Sequence, residues 1–356
     1  MPVEFVCRSV QGLVQSVADG EVAEWLKATS CKERYTVKSR IGGSNPSPLR
    51  QTFLFNSMQD LMHITVCICT FKRPGLLRRL LDELAGQVTE GRFTYSIVVA
   101  DNDRLRSAEG VVSDYVRTSP VSMVYCVEPE QNIALVRNRA LANARGDFIA
   151  FIDDDEFPAN NWLLNLFNTC HGHKADGVLG PVKPYFEQPP PKWLIRGKFC
   201  DRPEHKTGTV LDWRETRTGN VLIKRTILNG LDEPFRRMFG SGAEDCDFFR
   251  RMIEVGRVFI WCNEAVVNEI VPPERWRRSY LVKKALLQGQ NQRHLADFKS
   301  VAKSLVAIPV YAILLPVLLL VGQHAFMRYL LKLLDHTGKL VSLVGLKPLG
   351  DKYLAG

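Results

Sequence analysis

The chain has 356 residues, 46% of them hydrophobic and 24% charged, with a formal net charge of +9. That much apolar material supports a packed core and excludes a globally disordered chain. The positive balance suits an anionic partner (nucleic acid, acidic lipid or phosphorylated substrate) without choosing among them.

Residues 1–57 show no sustained helical or strand period and read as a disordered leader. No basic start followed by an apolar core marks a secretory signal there. A short β-branched strand at 64–69 puts Cys67 and Cys69 on one face and ends in Thr70-Phe71-Lys72-Arg73-Pro74. Leu76, Leu77, Leu80, Leu81 and Leu84 then recur at helical spacing. A second buried strand at 95–100 closes on Asp101-Asn102-Asp103. Val111, Val112, Tyr115 and Val116 signal a helix, and residues 121–127 a third strand. Residues 133–144 predict a helix capped by Gly146. A strand at 148–152 ends in acidic residues, and the next helix begins near Asn161. This alternation predicts an α/β fold with a mostly parallel, Rossmann-like sheet and helices on both faces. Ligands of such sheets bind beyond the carboxyl ends of the strands, where Thr70, Asp101 and Asp153 to Asp155 lie.

The nine cysteines include no Cys-x-x-Cys pair, which fits a reducing compartment. Cys170, His171 and His173 form a cluster that is either a metal site short of a fourth ligand or a polar loop after a helix. The proline-rich stretch 181–217 carries Trp193, readable as packing or as a stacking platform for a sugar. Farther on, residues 305–322 run eighteen positions without a charge, enough to cross a bilayer, with Pro309 and Pro316 to bend the helix. Arg275, Arg277, Arg278, Lys283, Lys284, Arg293, Lys299 and Lys303 crowd before it, the collar expected on the cytoplasmic side of a membrane. That collar lacks interleaved stacking aromatics beyond Trp276 and Tyr280, so nucleic acid is not the expected partner. Residues 326–346 alternate apolar groups with Arg328, Lys332 and Lys339, as a helix lying along a membrane surface would. The chain thus divides into the leader 1–57, a globular domain 58–295 and a membrane-associated helical tail 296–356.

Asp153-Asp154-Asp155-Glu156 follows the apolar run Phe148 to Ile152. Four adjacent carboxylates repel, and oxygen ligands at this density suit Mg²⁺ or Mn²⁺ shared with substrate phosphates. The alternative is an acidic turn that caps the next helix. Glu244-Asp245 follows Gly242-Ala243 at another helix start, where Asp245 reads equally as an N-cap or as a general base. Arg137 and Arg139 either hold a diphosphate or form a solvated helical face.

In order along the chain, ITVCICTFKRP, VVADND, NIALVRNRAL, FIAFIDDDEFP, TGNVLI and GAEDCDFFRRM resemble the successive motifs of glycosyltransferase family 2, with its GT-A fold. The likeness spans residues 64–293 and is nearest to transferases that build exopolysaccharides such as succinoglycan. It implies an inverting transferase that moves a sugar from a nucleotide-diphosphate sugar, a UDP-sugar by expectation, to a saccharide or lipid-linked saccharide at the cytoplasmic face of a bacterial inner membrane. By the same resemblance Thr70, Arg73, Asp101, Arg137 and Asp153 belong to the donor pocket, and Asp153 and Asp155 to the metal motif, with Asp154 in its variable place. Asp245 falls on the catalytic base, with Glu244 beside it. Ala243 stands where glycine is usual. The Gln-x-x-Arg-Trp motif of processive synthases is absent, Arg275-Trp276 matching it only loosely, which favours addition of one sugar. Competing readings are a metal-dependent phosphohydrolase or nucleotidyltransferase and a noncatalytic scaffold that binds nucleotide sugars. No Gly-rich, Lys-bearing phosphate loop follows the first strand, against the nucleotidyltransferase. Residues 20–50 resemble the peptide read from a bacterial transfer-RNA gene, which puts the expected start at Met58 or Met62.

Overall fold

The computed structural model describes residues 61–346 and Leu349, so the leader expected over 1–57 and the start at Met58 lie outside the described residues. The apolar, β-branched run forms β1 (Met62–Thr70), and Pro74 opens α1 (Pro74–Ala85) at a position that needs no N–H. Leu77, Leu80, Leu81 and Leu84 are at most 1% exposed. Burying each contributes about 1.5–3 kcal/mol, which fixes α1 by this one face. Then follow β2 (Phe93–Asp101), α2 (Glu109–Thr118), β3 (Met123–Val127), α3 (Ile133–Asn143) and β4 (Phe148–Asp153), the predicted alternation. Gly146 is not the cap of α3, which ends with Ala144 in extended backbone. Gly146 lies at φ +113°, and a Cβ there would meet the His63 carbonyl at 2.6 Å, so its job is close approach to β1.

After β4 come β5 (Glu156–Pro158), α4 (Trp162–His173), β6 (Gly177–Leu179), β7 (Val182–Tyr185) and α5 (Lys192–Gly197). They are followed by β8 (Val221–Lys224), α6 (Glu244–Glu254), β9 (Phe259–Trp261) and β10 (Val267–Ile270). Seven strands form one sheet in the order β3-β2-β1-β4-β8-β6-β9, and β5-β10-β7 form a small second sheet. β1 runs parallel to both β2 and β4, while β8 is antiparallel to β4 and β6. The chain steps outward from β1 to β3 and returns to the other side of β1 at β4, which opens a crevice between those strand ends. Register puts Thr70 beside Asp101 and Cys69 beside Asp153. Ile64, Val66 and Ile68 pack into the core layer of α1, α2 and α4; Cys67 and Cys69 share the opposite face, with α3 and α6.

Asn220 closes the small sheet onto the large one. Its side chain, 0% exposed, donates to the Pro181 and Ala265 carbonyls at 2.9 and 2.7 Å and accepts from Trp162 Nε1 at 2.7 Å. Asn220→Ala orphans all three groups and is expected to cost about 2–5 kcal/mol, read as a lower urea midpoint. An unchanged midpoint would contradict this role.

The C-terminal elements are α7 (Arg278–Asn291), α8 (Phe298–Val321) and α9 (Gln323–Leu343). The charge-free run sits within α8, which starts earlier than the run because Asp297 caps Ser300 N, and which keeps Pro309 and Pro316 inside it. α8 has a mean hydropathy of 2.6 over its most apolar window, of which 6% is buried. α9 packs on α7 and α8 and so is no isolated surface helix. Lys339, expected on a solvated face, is buried and donates to Ser300 Oγ at 3.0 Å. Cys170, His171 and His173 form the last turn of α4, not a loop, with Cys170 buried and both histidines exposed. Trp193 packs between Phe199, 5.4 Å away, and Arg278, 5.3 Å away.

Candidate active site

The acidic turn after β4 spends its four carboxylates differently. Asp154, in the middle, is 4% exposed, accepts from Thr70 Oγ1 at 2.8 Å and pairs with Arg73 at 2.9 Å. Burial pushes its carboxyl up to about 6 against the pull of Arg73. Asp155 receives Arg275 at 2.7 Å and Arg73 at 3.3 Å on one oxygen. Glu156 is buried and bonded to the Asp153 N–H at 3.1 Å; burial and then the Asp153 charge push its carboxyl well above the ordinary range. Only the Asp153 side chain is substantially open, 41% exposed, with Arg137 at 3.6 Å. Arg73, Arg137 and Arg275 thus each reach at least one carboxylate of this turn. Thr70 and Arg73, expected at the donor, brace this turn from below.

The second acidic motif reaches the same place from the other half of the chain. Ala243 enters α6 at φ +71°, a left-handed turn that explains why glycine is usual there. The N-cap is Ala243, so Asp245 lies inside the first turn and is no N-cap; its carboxylate accepts from the Cys246 N–H at 2.7 Å. Glu244 is 4% exposed and takes Arg137 Nε at 3.0 Å. Burial, then the neighbouring Asp245, push the Glu244 carboxyl up to about 7 despite Arg137. Arg137 thus joins Asp153 and Glu244 from the middle of α3, and is itself 6% exposed. A solvated face does not describe it.

Asp101, expected at the donor base, is 0% exposed, and its oxygens accept from the Asp103 and Ala108 N–H groups at 2.9 and 2.8 Å and from the Tyr125 hydroxyl at 2.9 Å. A carboxylate so occupied shapes the turn after β2. Its neighbours Asn102 and Asp103 line a cavity of about 1010 Å³, together with Lys72, Asn132, Gly240 and Arg293. That is room for a nucleotide at the switch point. The strand-end position was legible; which of three successive polar residues faces outward was not.

Three arginines were missed at this site. Arg275, read as part of the basic collar, is 14% exposed at the side chain and bridges Asp155 and Glu269 at 2.7 and 3.0 Å. Arg202 pairs with Glu269. Arg217 forms no ion pair among the described residues, and its guanidinium, whose pKa burial and the Arg202 charge lower, lies within electrostatic reach of Glu156 and Asp245. Only the Arg275-Trp276 pair carried any sequence signal.

Among the described residues no group of three His, Cys, Asp or Glu side chains forms a metal cage. Mg²⁺ and Mn²⁺ are instead commonly held by one or two carboxylates and completed by substrate phosphates. The open Asp153 carboxylate, with Asp155 two residues on, fits that kind of site.

The sequence profile of Glycosyl transferase family 2 matches residues 65–230. The chain is 36% identical over 245 residues to the succinoglycan biosynthesis protein ExoM of Rhizobium meliloti (strain 1021), covering 68% of this chain and 77% of that one. It is 25% identical over 125 residues to the UDP-Glc:alpha-D-GlcNAc-diphosphoundecaprenol beta-1,3-glucosyltransferase WfaP of Escherichia coli, 34% of this chain and 47% of that one. Among solved structures, a mannosyltransferase of Pyrobaculum calidifontis in complex with GDP-Man and Mn²⁺ aligns with a TM-score of 0.57 at 17% identity, over 81% of this chain and 88% of that one.

Proposed function

Because the chain belongs to glycosyltransferase family 2, we propose that this GT-A enzyme transfers one sugar, with inversion, from a nucleotide-diphosphate sugar to a hydroxyl of a lipid-linked saccharide. The observation that carries this reading is Arg137. It bridges Asp153 at 3.6 Å and Glu244 at 3.0 Å, so the strand-end acidic turn and the start of α6 meet at the sheet's switch point. The cavity beside Asn102 and Asp103 takes the nucleoside, a uridine if the E. coli relative's donor carries over. A divalent ion held by Asp153 and Asp155 would neutralise charge on the diphosphate leaving group. Asp245 accepts the acceptor's proton as the acceptor oxygen attacks the anomeric carbon on the face opposite the diphosphate. The new C–O bond forms as the bond to the diphosphate breaks, which inverts the centre.

α8, free of charge from Leu305 to Val321 and largely uncovered, anchors the enzyme in the membrane, with its catalytic face in the cytoplasm. A lipid-linked acceptor agrees with that anchor and with the diphosphoundecaprenol in the E. coli relative's name. Calorimetry with a panel of nucleotide sugars tests the reading. One donor is expected to bind only with Mn²⁺ present and to lose at least about tenfold in affinity in Asp155→Ala. Absence of binding to every donor, with and without Mn²⁺, would overturn it, as would donor breakdown that proceeds equally without acceptor.

A further inference from the structure

A second cavity, of about 480 Å³, opens on the other side of the acidic turn. Arg202, Glu269 and Arg275 bound it toward the turn; Lys284 of α7 and Lys332 of α9 bound it toward the membrane helices. Four cations, Arg202, Arg275, Lys284 and Lys332, line it against the three carboxylates Asp201, Glu269 and Asp335. Glu269 is shared by Arg202 and Arg275, and Arg275 also reaches Asp155. Lys284 has no ion-pair partner or side-chain hydrogen bond among the described residues, and Arg275 Nε is buried without a hydrogen-bond partner among them. The cavity's other carboxylates, Asp201 and Asp335, pair with none of these cations. Lys284 keeps an exposed surface; desolvation lowers its ammonium, the Glu269 charge raises it, and Arg202 and Arg275 lower it. An anion is what such a cavity lacks.

We infer that this cavity holds the phosphate or diphosphate of the lipid-linked acceptor, with Lys284 and Arg202 as its principal contacts. The inference rests on the proposed acceptor class. The place is argued from the fold. α9, which forms one wall, packs directly on α8. α8 leaves Leu305, Ile313 and Leu320 60%, 74% and 88% exposed. A lipid phosphate lies at the membrane surface with its chain in the hydrocarbon, so a headgroup in the cavity lets its tail run along α8. Arg275, which touches both the cavity and Asp155, sets this anchor beside the reacting centre. Arg217, between Arg202 and Asp245 in electrostatic reach, continues the cationic path toward the acceptor hydroxyl.

The test is equilibrium binding of farnesyl diphosphate to the full chain in detergent. Inorganic pyrophosphate and farnesol serve as controls, and UDP with Mn²⁺ is titrated separately. Wild type is expected to bind farnesyl diphosphate at least tenfold tighter than either control. Lys284→Glu and Arg202→Gln are each expected to weaken it tenfold or more while UDP binding persists, and Asp155→Ala to do the reverse. Unchanged binding in both cavity variants, or no binding by wild type, would overturn the inference. Pyrophosphate binding as tightly as farnesyl diphosphate would overturn the lipid source. Failure of UDP to bind wild type tells against the proposed donor reaction alone.

Discussion

Asp245→Asn is expected to reduce sugar transfer by about 10²–10⁴-fold while donor affinity stays within about twofold. The side chain sits in the first turn of α6, half-buried, with the Cys246 N–H bonded to its carboxylate at 2.7 Å. It therefore retains lone pairs for a hydroxyl. Asparagine preserves the shape and loses the basicity, so only the step that moves a proton suffers. Glu244 is the control. It is buried against Arg137, and Glu244→Gln keeps that contact as a hydrogen bond; its effect on kcat is expected to stay below about tenfold. Single-turnover rates, with enzyme in excess of the donor and acceptor saturating, distinguish the two. Transfer that survives in Asp245→Asn would move the base elsewhere, and equal losses in both variants would make the pair act as one unit.

The second large effect is on stability. Arg137→Ala is expected to cost about 3–5 kcal/mol, because it leaves Glu244 buried without an ion-pair partner among the described residues and removes a strap across the two acidic motifs. Burial already raises the Glu244 carboxyl, and loss of Arg137 drives it further up, toward the neutral form. Arg137→Lys is not expected to rescue, since one ammonium cannot serve carboxylates on two sides as the guanidinium does. Adding Glu244→Gln to Arg137→Ala removes the orphaned charge and should recover about half of the loss. Urea unfolding at neutral pH reads all three variants. A midpoint for Arg137→Ala near that of the parent would mean the bridge contributes nothing measurable.

The strand–helix alternation, the apolar face of α1 and the strand-end position of the acidic turn were readable because each is set by residues near one another in sequence. The period of Leu77, Leu80, Leu81 and Leu84 can satisfy only a helix with one buried face. Roles inside the site were less legible. Asp153, Asp154 and Asp155 look interchangeable on paper, yet Asp154 is buried on Thr70 and Arg73 while Asp153 stands open. At the end of β2, Asp101 turns inward and its neighbours face the cavity, since three backbone and hydroxyl donors happen to converge on it. Arg275 read as a member of a membrane collar because its charge was visible and its partners were not.

What the sequence determined by itself was the α/β alternation, the ordered motifs of the family and the long apolar helix, all products of local periodicity and residue chemistry. What the tertiary structure decided was which charges meet. Arg137 reaches Glu244 across 107 positions, and Arg275 reaches Asp155 across 120. Those meetings follow from the order of strands about β1, which folds distant segments onto one crevice. A guanidinium's partner depends on that path through space, and no spacing along the chain encodes it.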